Sequence, residues 1–106
     1  MANNIVITRG RTVTLSVSLP YDISNDTFVS QIRTGRGVSS PLIATWSIEF
    51  NTDGKDGKLI FTLDDSITSE ITHLSGYMDI KRISDGEPTN VFDSAIPVAF
   101  KEPVTT

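Results

Sequence analysis

A chain of 106 residues is the length of one domain and buries roughly two thirds of its unfolded surface, enough for a core without crosslinks. It holds no cysteine, which excludes disulfides and thiolate metal centres. Its formal net charge of −4 argues against a general nucleic-acid binder, since phosphate contacts need a cationic surface.

The opening MANNIVITRGR has four apolar residues between polar neighbours, too few for a secretory signal or a membrane span, so the reading is a protein made soluble in the cytoplasm. Asn4 to Thr8 is expected as a short strand, and Arg9-Gly10 as a turn. Arg11 to Leu19 then alternates, with Val13, Leu15, Val17 and Leu19 on one face and Thr12, Thr14, Ser16 and Ser18 on the other. Such a strand is buried on one side and wet on the other. Pro20 ends it, and Tyr21 to Asp26 is a polar loop.

Thr27 to Thr34 reads as a third strand, with Phe28 and Ile32 on one face and Val29, Gln31 and Arg33 on the other. The two glycines and two serines of Gly35 to Ser40 predict a mobile tip that orders on contact with a partner. Pro41 opens what reads as the longest strand, in which Leu42, Ala44, Trp46, Ile48 and Phe50 face inward around Trp46, and Ile43 faces the wet side. Asn51 to Gly57 is a turn, and Lys58 to Leu63 returns with Leu59, Phe61 and Leu63 on one face, completing a hairpin.

The period then changes. Asp64 or Asp65 can cap a helix over residues 65–73, with Ile67, Ile71 and Leu74 at i, i+4 and i+7, before Ser75-Gly76 breaks that face. Gly76 to Ser84 and Thr89 to Lys101 read as a closing hairpin around Asp85-Gly86. Pro97 cannot donate to a ladder, which predicts an edge position or a bulge for the last strand. About seven strands with one short helix predict a single all-β domain, an antiparallel β-sandwich over 1–106, with flexible termini at 1–3 and 102–106.

Several stretches together resemble a known family. They are Arg9-Gly10-x-Thr12 after an opening strand, Gly57-Lys-Leu-Ile-Phe-Thr-Leu63 closing the middle hairpin, the capped turn Asp65 to Thr72, and Leu74-Ser-Gly-Tyr-Met-Asp-Ile80. In these the chain resembles the N-terminal domain of phage baseplate upper proteins. The resemblance implies an immunoglobulin-like sandwich and a non-enzymatic role attaching virion components, with other virion proteins and copies of itself as partners, in the virion. Arg11 stands where that family often has an acidic residue. The chain stops at Thr106, where the family usually continues into fibre or helical segments, so an adaptor is expected, with a capsid decoration protein as the alternative and a carbohydrate-binding module as a second one.

Chemistry is sparse in the residues. His73 is the one histidine, without a nucleophile elbow, and is read as structural. Asn51, Asp53 and Asp56 have part of a calcium loop's spacing but lack its glycine and its closing glutamate, so a solvated turn is expected and no metal or cofactor. Tyr21, Phe28, Trp46, Phe50, Phe61, Tyr77, Phe92 and Phe100 mostly fit core parity, which speaks against a sugar-binding surface. Partner binding is expected at Arg9, Arg11, Arg33 and Arg36, which lie in the first third while acids dominate after residue 49. Val29, Val38 and Ile43 are the apolar candidates beside them, and the ends, Met1 to Asn4 and Pro103 to Thr106, are candidate arms for strand addition.

Overall fold

A computed structural model of the chain describes residues 5–92 and 94–104. The elements are β1 (Ile5–Thr8), β2 (Val13–Ser18), β3 (Thr27–Arg33), β4 (Leu42–Thr45), β5 (Ser47–Phe50), β6 (Lys58–Leu63), α1 (Asp65–Thr68), β7 (Ser75–Ser84), β8 (Glu87–Asn90) and β9 (Ile96–Lys101). One sheet has the order β1-β9-β7-β3-β4, with β8 paired to the far half of β7, and the other has the order β2-β6-β5. All pairings are antiparallel except that of β1 with β9, which joins the two ends of the chain in parallel.

The inward parities meet between the sheets. Ile7, Ile32, Ala44, Met78, Ile80, Val98 and Phe100 from the larger sheet pack against Leu59, Phe61 and Leu63 from β6. Trp46 and Phe61 form the aromatic centre, with ring centroids 6.0 Å apart at 62°, the edge-to-face geometry that suits their quadrupoles. The expected core role of Trp46 is met, since only 4% of it is exposed.

The expected strand over 42–50 is two strands. Ala44 and Thr45 pair with β3, whereas Ser47 to Phe50 pair with β6, so the chain changes sheets at Trp46. Trp46 itself donates its backbone N–H to the Ser30 carbonyl, and Ser30 Oγ, fully buried, donates to the Asp79 carbonyl at 2.6 Å. A bulge between Ile32 and Arg33 shifts the register with β4. This corrects the placement of Ile43. Its Cδ1 packs over Gly76 beside the core, so it does not lie on the wet face.

The helix is shorter than residues 65–73 and shows a different face. Asp64 caps α1 by accepting from the Ser66 N–H, and only turns follow Thr68. Thr68 and Ile71 point inward, while Ile67 and Leu74 are exposed, because the fully buried Thr68 hydroxyl donates to the Arg11 carbonyl at 2.7 Å and fixes the rotation of the turn.

The closing strand also divides. β8 pairs with residues 81–84 of β7 and β9 with residues 75–78, with Val91 to Ala95 between them. β9 lies inside the sheet, so Pro97 does not mark an edge. It stands opposite Tyr77, and the described part of β1 begins only opposite Val98, so the missing N–H interrupts no described β1 pairing.

Candidate binding cleft

The larger sheet is wider than the three-stranded one, so β2, at the margin of the smaller sheet, does not close the sandwich on its side. Val13, Leu15 and Val17 keep their inward parity yet are only half-buried. Beside them lies a cleft of about 650 Å³. Its floor is made by Phe61, Met78 and Ile80 from the core, its walls by Leu15 and Val17 of β2 and by Ile5 and Ile96, and its mouth by Phe92, which is 42% exposed. Ser16, Ser94 and Arg36 supply the polar rim. Such a surface suits apolar side chains with a few polar contacts at the edge.

Arg36 reaches that rim across the outer face, where its guanidinium lies 4.8 Å from the centre of the Tyr77 ring, a cation–π distance. The Gly35–Ser40 loop is closed by the Thr34 N–H to the Pro41 carbonyl, the Ser40 N–H to the Gly37 carbonyl, and Arg33 Nη1 to the Ser40 carbonyl at 2.9 Å. Arg33 Nη2 also donates to Gln31 Oε1 at 2.9 Å. Val38 at the tip is 90% exposed, and Val29, on the outer face of β3, is half-buried.

The strand registers place Arg9, Arg11, Arg33 and Arg36 toward one end of the sandwich and Asp22, Asp53, Asp56, Asp85 and Glu87 toward the other. Asp64, Asp65, Glu70 and Glu102 also lie near the arginine end, so that end is mixed in sign. The arginines differ in availability. Arg9 is 11% exposed in its side chain, donates Nη1 to Glu102 Oε1 at 2.7 Å and Nη2 to the His73 carbonyl, and so ties the last strand to the turn before β7. Arg33 is held by its own loop. Arg11 and Arg36 are exposed.

At the opposite end Asp26, 6% exposed in its side chain, accepts from Arg82 Nε at 2.6 Å and holds the guanidinium pKa above its usual value. The same guanidinium lies 4.3 Å from the Tyr21 ring centre. His73 is exposed and contributes only its carbonyl to these contacts. In the 51–57 turn, Asp53 and Asp56 accept from the backbone N–H groups of Lys55 and Lys58, each at 3.0 Å. These carboxylates cap their own turn, and no three His, Cys, Asp or Glu side chains converge as metal ligands among the described residues. The expected arms at 1–4 and 105–106 lie outside the described residues; Val104 is fully exposed.

Sequence reasoning did not find the cleft. Parity predicts which side chains of β2 point inward, but nothing local tells whether a second layer covers them, and Phe92 carries no signal of its own.

No family model and no curated protein matches the chain. The solved structure of the periplasmic chaperone SfaE is similar at a TM-score of 0.53 and 14% identity, covering 95% of this chain and 55% of that one. The chain is an immunoglobulin-like β-sandwich. It spans about half the length of that chaperone, and at this identity the likeness concerns the fold alone. No helix among the described residues is long and apolar enough to cross a membrane.

Proposed function

We propose that the chain is a non-enzymatic structural protein of a phage virion, an adaptor in the tail or baseplate that attaches neighbouring subunits. The resemblance of Arg9-Gly10-x-Thr12, Gly57 to Leu63 and Leu74 to Ile80 to baseplate upper proteins supports the virion setting. The observation that carries the attachment role is the cleft, an apolar opening into the sandwich of about 650 Å³ with Arg36 and two serines at its rim. A sugar site would need exposed aromatic faces converging on one surface. Among the large aromatics only Tyr21 and Phe92 are exposed, and Arg82 covers the Tyr21 ring.

Immunogold electron microscopy with antibody against this chain, on particles from its source, tests the reading. Label confined to one pole is the expected result. Label over the whole shell favours a capsid decoration protein instead, and particles without label sink the virion role.

A further inference from the structure

We infer that β2 is a self-pairing edge, and that two copies of this chain join there antiparallel about a two-fold axis through Ser16. The backbone geometry carries the argument independently of any virion role. Leu19 donates its N–H to the Gly57 carbonyl, and Asn51 donates to the Lys58 carbonyl, which sets the alternation of the whole β2-β6-β5 ladder. Val13, Leu15 and Val17 therefore exchange hydrogen bonds with β6, and the N–H and C=O groups of Thr14, Ser16 and Ser18 point away from it. No described residue bonds to them.

Free edges are ordinarily protected by charge, proline or a bulge. Of the other margins, β5 carries Glu49, β8 carries Pro88 and β4 is bulged against β3, while β1 is uncharged like β2 but shorter, with four described residues, Ile5–Thr8. β2 reads VTLSVS, without charge, proline or register shift over six residues. Two such strands meet without like charges facing one another. With Ser16 opposite its own copy, Thr14 lies opposite Ser18 and each of these pairs exchanges two hydrogen bonds, so all the outward groups are satisfied. The hydroxyl side chains pair on the outer face, a favourable cross-strand match. On the inner face Leu15 falls opposite the second copy's Val17, which adds the missing neighbour to the half-buried wall of the cleft.

Sedimentation equilibrium at micromolar concentration, with amide exchange on the same samples, tests this. The expected mass is twice the 11.6 kDa of the chain, with the amides of Thr14, Ser16 and Ser18 protected. Ser16→Pro removes an outward N–H and no β2–β6 bond, so it should keep the fold, seen as unchanged circular dichroism, and weaken dimerisation by roughly ten- to a hundredfold. Ser16→Lys keeps every backbone group and sets two ammonium groups across the axis, so it should weaken the dimer while folding normally. A monomer whose three amides exchange freely would overturn the proposal and leave the edge for a strand of another protein. A dimer untouched by both substitutions would overturn it as well, by placing the interface elsewhere.

Discussion

Gly57 is the glycine at which an added Cβ would meet the closest neighbour. Its φ is +75°, and a Cβ built there would lie 2.0 Å from the Leu19 carbonyl oxygen and 2.7 Å from that of Tyr21. The loop after β2 crosses directly over the hairpin turn at this point, held by Leu19 N–H to Gly57 and Ile23 N–H to Gly54. Gly57→Ala combines left-handed strain with a backbone collision, and should cost about 2–4 kcal/mol in urea unfolding. Trp46 matters for a different reason. It fills the centre of the sandwich at the place where the chain changes sheets, so Trp46→Ala should cost about 3–5 kcal/mol by the same measurement. An effect below 1 kcal/mol, about the size expected at an exposed site, would contradict the packing described for either residue.

α1 depends on its cap more than on its length, since a four-residue helix has almost no stability of its own. Asp64 accepts from the Ser66 hydroxyl and backbone N–H, and these bonds hold its carboxyl below the usual carboxylate value. The charged form is therefore favoured by folding. Its contribution is fully present above the unfolded-state pKa and is lost as pH falls through the lower, folded-state pKa. Melting temperature should fall more steeply on acidification in the wild type than in Asp64→Asn, which keeps an accepting oxygen but cannot titrate. Parallel curves for the two proteins would show that the charge on the cap adds nothing. Thr68, at the other end of α1, is buried with its hydroxyl on the Arg11 carbonyl. Thr68→Val preserves shape and removes this buried hydrogen bond, and should cost about 0.5–1.5 kcal/mol in urea unfolding.

At the scale of the molecule, the difference in width between the two sheets leaves the cleft, and this separates two kinds of aromatic. Phe61 is fully buried beneath it and Phe92 stands at its mouth, 42% exposed. Phe61→Ala should cost about 3–5 kcal/mol and Phe92→Ala under about 1 kcal/mol. Equal losses in urea unfolding would mean that the cleft is closed in solution. The arginines divide in the same way between fold and surface. Arg9 and Arg33 are bound into the chain's own turns, while Arg36 borders the cleft from the outer face.

The strands themselves were legible, because side-chain alternation is a local property of extended chain. Val13 to Val17, Leu59 to Leu63 and the core position of Trp46 follow from period-two patterning alone. The turn at 51–57 and a cap at Asp64 or Asp65 were legible too, from residue types whose backbone preferences act over a few positions, and the structure chooses Asp64. What only the tertiary structure decided is pairing. Residues 42–50 are one alternating run, yet hydrogen bonds to β3 and to β6 divide it, and the bulge that turns Ile43 inward exists only against β3. Pro97 could be placed inside the sheet only once β9 was seen to pair with β7 on one side and with the described part of β1 on the other. The cleft belongs to no single strand that borders it. It arises because segments distant in sequence assemble into sheets of unequal width, and alternation records which way a side chain points but not what stands opposite.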